Sequence, residues 1–209
     1  MARPVKKTPE EWRKEILNAA QNLFISKGYE ETSISGIMDM VGGAKGMFYR
    51  CFQSKEEVMH ALGNQMFFEN NPFEAVKGRD DLNGLQKIRL LLTLNQSDDE
   101  RNQINMQAVP ILKDPHILAA AVAENRRVLT PLWLELLEEG KKDGSIKTEY
   151  IKELSELLPL INFWLMPSVF PATEEELYHK YHFVKEVLAH MGLPLYDDDT
   201  TTFTEKFIT

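Results

Sequence analysis

Apolar residues recur at every third or fourth position through most of the chain, and no stretch alternates long enough to build a sheet. The pattern predicts an all-α protein. Trp12, Ile16, Ala20, Leu23 and Phe24 mark one face of a first helix. Thr8-Pro9-Glu10-Glu11 starts it with an N-cap, a proline at the first position and a capping-box glutamate, and Gly28 stops it. Ser33 then caps a short helix carrying Ile34, Ile37 and Met38, and Val41-Gly42-Gly43 supplies an apolar anchor followed by positions tolerant of positive φ. A second short helix follows over residues 44–51, with Phe48 and Phe52 at i and i+4 to pin it inward. Two short helices across a tight turn form a helix-turn-helix.

Ser54-Lys55-Glu56-Glu57 is another capping box, and Val58, Met59, Leu62, Met66 and Phe67 carry its helix forward until Asn70-Asn71-Pro72 breaks it. Residues 77–83 read as a polar loop, 85–94 as a helix, 96–99 as a turn and 101–109 as a short helix. Asp114-Pro115 opens the longest helix, about residues 116–142, with Leu118, Val122, Leu129, Leu132 and Leu136 on one stripe, Pro131 inside it and Gly144 beyond its end. A helix over 149–166 contains Pro159, and Thr173-Glu174-Glu175-Glu176 caps a last helix reaching Met191.

The last two helices carry more apolar surface than one core needs. Leu154, Leu158, Ile161 and Leu165, then Leu177, Tyr181, Val184, Leu188 and Met191, make a seam of the kind that packs helix on helix. Ile151, Leu157 and Trp164, then Phe183 and Val187, lie off that stripe. Two apolar sides per helix imply a partner as well as a core.

The 209 residues carry a net charge of −8, which argues superficially against nucleic acid. Its distribution changes that reading: residues 1–60 hold 9 Lys/Arg and 8 Asp/Glu, net +1, and residues 61–209 hold 15 and 24, net −9. An acidic body turned away from DNA and a near-neutral head turned toward it fit this asymmetry. Arg3 and Lys6 belong to a short basic arm able to reach a minor groove or backbone. One cysteine, Cys51, excludes an intramolecular disulfide framework. No apolar run is long enough for a bilayer and the basic start has no signal-peptide core, so a cytoplasmic protein without a membrane partner is expected.

Glu15-Ile16-Leu17-Asn18-Ala19-Ala20, Leu23-Phe24, Lys27-Gly28-Tyr29, Thr32-Ser33, Lys45-Gly46, Phe48-Tyr49, Phe52 and Ser54-Lys55-Glu56-Glu57, in this order and spacing, resemble the N-terminal DNA-binding domain of the TetR family of bacterial repressors. The resemblance covers about the first quarter of the chain. It departs from the family pattern at Gly36, where an acidic capping residue is usual, at Gly43, usually β-branched, and at Ala44, usually a small hydroxyl residue. It implies a helix-turn-helix domain over residues 1–55, a helical regulatory and dimerisation domain over 56–194 and an acidic, polar tail over 195–209. It further implies a homodimer that binds double-stranded operator DNA and is released by a small apolar or amphiphilic effector.

Under that resemblance Tyr49 and Lys55 contact phosphate, and Lys45 and Arg50 serve base readout or nearby phosphate, with Thr32, Ser33, Ala44 and Gly46 beside them. Last-helix pairing between subunits would place Leu154, Leu158, Ile161, Leu177, Tyr181, Val184 and Leu188 in the dimer seam. Met66, Phe67, Met106, Trp133, Phe163 and Trp164 are candidate effector contacts, because Met and Trp fill reshaping space and Pro131 and Pro159 can splay their helices. Core packing explains those six equally well.

Glu176, His179 and His182 share a helical face that can hold a metal, but so short a motif misleads without context, and a solvated or interfacial face is the simpler reading. No nucleophile elbow, phosphate loop or zinc-protease motif is present, so neither a cofactor nor a catalytic residue is assigned. A helical metal or enzyme domain, or a helical interaction protein that keeps the head without ligand-controlled DNA binding, are the alternatives.

Overall fold

The computed structural model describes residues 7–97 and 99–196, with only the backbone of Gln96 and Arg101. Arg3, Lys6 and the chain after Tyr196 lie outside the described residues. Every regular element described is helical: α1 (Pro9–Lys27), α2 (Ile34–Val41), α3 (Lys45–Cys51), α4 (Lys55–Glu69), α5 (Pro72–Lys77), α6 (Gly84–Ser97), α7 (Asp99–Ala108), a 3-10 turn (Val109–Lys113), α8 (Pro115–Asp143), α9 (Ile151–Leu165) and α10 (Glu174–His190). The protein is all-α. No helix among the described residues is long and apolar enough to cross a membrane.

The chain divides into two compact units, one holding α1 to α4 with α7, the other α5, α6 and α8 to α10. In the first, α1 begins as its sequence dictates: Thr8 Oγ1 accepts from the Glu11 amide at 3.2 Å, and the Thr8 amide donates back to Glu11 Oε2 at 2.6 Å. Ile16, Ala20 and Phe24 of α1 are wholly buried, and Ile37, Phe48, Val58 and Leu62 meet them in one core. Ile104 of α7, 1% exposed, belongs to that same core. The unit therefore runs past residue 55, because α4 and α7 are both needed to close it.

Three side chains fasten α7 to the end of α1. Gln107 Nε2 donates to the Phe24 carbonyl at 2.9 Å, Gln103 Nε2 to the Ile25 carbonyl at 3.3 Å, and Gln21 Nε2 to Glu100 Oε1 at 2.6 Å. The Phe24 carbonyl already accepts the Gly28 amide at 2.9 Å, so Gln107 adds a second bond there, and Gln103 serves the next carbonyl of the last turn.

In the second unit α8 is the spine on which α6 and α9 pack. Asp143, at its end, accepts the amide of Gly84 at 2.6 Å and so caps α6. Lys87 is 2% exposed, its ammonium ion-paired with Glu139 and 3.4 Å from the Lys77 carbonyl. A buried ammonium without such partners would cost several kcal/mol. Thr173 and Glu176 form the capping box of α10. Leu195 remains 3% exposed, so packing continues past residue 194. Two local readings change: the stretch between the break at Pro72 and the loop is a helix, α5, and α6 runs to Ser97, into the turn expected at 96–99. Pro72 ends one helix but is well placed at the first position of the next.

Candidate nucleic-acid interface and ligand cavity

The turn between α2 and α3 is set by its two glycines. Gly42 takes the left-handed conformation, φ 67°, that ends α2. At Gly43 a Cβ would come 2.6 Å from Met38 Cε and 2.8 Å from Trp12 Cζ3, so the Trp12 ring takes the space a side chain would need. Ser33 Oγ accepts from the Gly36 amide at 3.0 Å, but with glycine there no carboxylate returns the bond. Ala44, at the N-cap of α3, makes no side-chain cap.

α3 is short and is held by its neighbours. Phe48 is wholly buried, its ring 5.9 Å from that of Phe52, and Arg13 of α1 lies 4.1 Å from the centre of Phe52 while donating to the Cys51 carbonyl at 2.8 Å. With Phe48 inward, Lys45, Gly46, Tyr49 and Arg50 are turned to solvent along one side of α3. Ser33 and Ala44 are also exposed. Tyr49 is 59% exposed and meets Phe48 edge-on, so its hydroxyl is presented from a fixed ring.

Thr32 and Lys55 depart from the expected surface set. Thr32 is 3% exposed and its hydroxyl donates to the Gly28 carbonyl at 2.8 Å, so that hydroxyl is used within the head. Lys55 Nζ donates to the carbonyls of Tyr29 at 2.7 Å and Thr32 at 3.0 Å. Beside it the Tyr29 hydroxyl donates to Glu56 Oε1 at 2.8 Å. Burial, then that hydrogen bond and the carboxylate charge, push the Tyr29 phenol up. Burial alone would raise Glu56, but hydrogen bonds from its own amide, Ser54 and Tyr29, with the charge of Lys55, hold its carboxyl below the ordinary value.

The second unit contains an apolar cavity of about 380 Å³. Leu118 and Val122 line it from the start of α8, Leu157, Leu160, Ile161, Phe163 and Trp164 from α9, and Val169 and Phe170 from the segment that follows. Lys180 of α10 stands beside it, 5.3 Å from the Trp164 ring centre and 5.8 Å from that of Phe170.

Residues 16–62, which hold this helix-turn-helix, match the family described as bacterial regulatory proteins, tetR family. The chain belongs to the TetR family. It is 28% identical over 153 residues to the transcriptional repressor KstR2 of Rhodococcus jostii, a match covering 68% of this chain and 72% of that protein. It is 29% identical over 93 residues to the probable transcriptional regulator ArpR of Pseudomonas putida, covering 44% of each. In fold it is similar to Thermus thermophilus FadR, a TetR-family repressor solved in complex with lauroyl-CoA, with a TM-score of 0.60, 21% identity, and 81% of this chain and 91% of that one covered. It is also similar to a TetR-family regulator from Pectobacterium atrosepticum, with a TM-score of 0.62, 17% identity and coverage of 88% and 96%. This TetR-family chain is a transcriptional regulator, and the family is not an enzymatic one.

Of the six expected effector contacts, only Phe163 and Trp164 line the cavity. Met66 is 6% exposed in the core of the first unit, and Met106 stands 59% exposed on α7. Trp133 is spent against Phe73, edge-on at 5.3 Å, and Phe67 meets Phe68 at 5.4 Å. Methionine and tryptophan were poor guides because they fill cores as readily as cavities. Leu157, already anomalous as an apolar residue off the stripe, was the usable signal.

The seam residues are corrected for a similar reason. Leu154, Leu158, Leu177, Val184 and Leu188 are buried inside the protomer, so none can face a second copy; Ile161 and Tyr181 are half-buried. Apolar surface remains on the other stripe. Leu157 and Leu160 are each 43% exposed and Phe183 58%, and Trp164 meets Phe183 edge-on at 5.8 Å, which joins the exposed sides of α9 and α10. His179 and His182 are exposed, and the described residues hold no group of three or more His, Cys, Asp or Glu that could bind a metal.

Proposed function

We propose that the protein is a homodimeric repressor that acts in the bacterial cytoplasm and leaves its operator when an apolar or amphiphilic molecule enters the cavity of the second unit. The outward set on α3 carries the DNA half of this reading. Lys45, Tyr49 and Arg50 project from a helix whose other side is locked by Phe48, so the groove meets donors on a rigid support. A two-fold dimer then reads a near-palindromic site, with half-site centres roughly one helical turn or a multiple of it apart.

The second copy docks on the stripe of exposed Leu157, Leu160 and Phe183 and half-buried Trp164 and Val187. Leu157, Leu160 and Trp164 also line the cavity, so a ligand that moves them moves the seam. Connectivity offers the route to the head. The chain passes between units after Asn71, Ser97 and Ile111, so α7 is anchored to α1 by Gln103 and Gln107 and is continuous at its ends with α6 and the segment leading into α8. Leu118 and Val122, on the first turns of α8, are cavity walls. KstR2 and FadR are both repressors, and FadR was solved with the amphiphile lauroyl-CoA, which supports the sign of regulation and an amphiphilic class of ligand.

Selection of bound fragments from the source genome followed by gel shift tests the reading. Wild type should retard a near-palindromic fragment, and the double variant Lys45→Ala/Arg50→Ala should not. Retardation that survives the double change would place DNA recognition elsewhere.

A further inference from the structure

We propose that the cavity takes a single-chain anionic amphiphile of about a dozen non-hydrogen atoms, with its chain against Leu118, Val122 and Trp164 and its head on the ammonium of Lys180. The biological role of such a ligand rests on the cavity being the effector site, but its binding does not. Size comes from volume: about 380 Å³, at roughly 30 Å³ for each water-sized atom, admits about a dozen heavy atoms. The walls are hydrocarbon, so the chain needs no polar partner along its length.

The head is read from Lys180. Its ammonium donates to the carbonyls of Trp164 and Phe170, each at 3.3 Å, and lies over the rings of the same two residues, both of them cavity walls. An ammonium has three donors, so one remains after the two carbonyls are served. No carboxylate among the described residues pairs with it. Glu176, one turn earlier on α10, accepts from the Thr173 amide at 2.7 Å and meets Lys180 only through its charge, without an ion-pair contact. The cavity thus combines apolar walls with one positive charge at its edge. An anion gains a charged hydrogen bond there that an uncharged head of similar size does not.

The full chain is titrated with decanoate, decan-1-ol and decyltrimethylammonium by tryptophan fluorescence and calorimetry, in wild type, Lys180→Met and Lys180→Glu. Wild type should bind decanoate about tenfold more tightly than decanol. Lys180→Met should bring decanoate to the level of decanol without changing decanol, and Lys180→Glu should favour the cationic probe. Equal affinity of wild type for decanoate and decanol overturns the headgroup assignment and leaves the cavity as an apolar effector site. Loss of both probes in Lys180→Met shows that Lys180 only fastens the end of α9, and overturns it equally. If wild type binds neither, a second copy fills the cavity, and the effector reading falls with the proposal.

Discussion

The ammonium of Lys55 lies 3.9 Å from the centre of the Tyr29 ring and donates to the Tyr29 carbonyl at 2.7 Å. A lysine at the first turn of α4 thus ties that helix to the corner between α1 and α2. Two of its three donors are used within the chain, so the role expected of it is to hold the head in shape, and a phosphate could take only the third. Lys55→Met should lower head stability by about 1–2 kcal/mol through lost charged hydrogen bonds and ring contact. The salt dependence of operator binding should keep its slope. A slope reduced by roughly 0.9 would show a lost phosphate contact instead.

Glu56 gives the same corner an acid limit. Its folded pKa lies below the ordinary 4.5, so its stabilisation is present above that value and is lost as pH falls through the folded one. Tyr29→Phe removes one of the hydrogen bonds that lower it. Between about pH 7 and about pH 3.5 the thermal midpoint of wild type should therefore fall further than that of the variant. Parallel curves would remove Glu56 from the account.

Two substitutions on α10 separate core from seam. Leu188 is 1% exposed, and Leu188→Glu buries a charge at a cost of several kcal/mol, so the second unit should lose its cooperative transition. Phe183, 58% exposed, accepts a charge without loss of fold. Phe183→Glu should sediment as a folded monomer and fail to shift operator DNA. A Phe183→Glu dimer would move the seam off this stripe.

α7 is the element whose role was least visible in the chain. DERNQINMQA is polar on nearly every side, and only Ile104 among its apolar residues is buried. Nothing in its periodicity says that its glutamines close the end of α1, because a side-chain bond to a carbonyl far away in sequence leaves no local pattern. Caps are the opposite case. Thr8, Ser33, Asp114 and Thr173 act on residues two or three positions on, and all four begin helices as written. The stripe on α9 and α10 showed that two apolar sides exist, but which side turns inward depends on how α9 packs on α8, and it is Leu154 and Leu158 that are buried while Leu157 and Leu160 stay exposed.

Gln107→Ala should cost about 0.5–1.5 kcal/mol of head stability by removing the bond to Phe24. Operator and ligand should each still bind. Coupling between them, on the order of 1–3 kcal/mol in such systems, should shrink. Unchanged coupling would leave α4 and α5, continuous across Asn71 and Pro72, as the remaining route.

Linkage between cavity and operator is the most direct test of ligand-controlled DNA binding. Decanoate is titrated into the protein with and without a saturating operator fragment, and operator affinity is measured with and without saturating decanoate. The account predicts that the operator weakens decanoate binding by the same factor by which decanoate weakens operator binding. Stoichiometric decanoate binding in the second unit with operator affinity unchanged would contradict it.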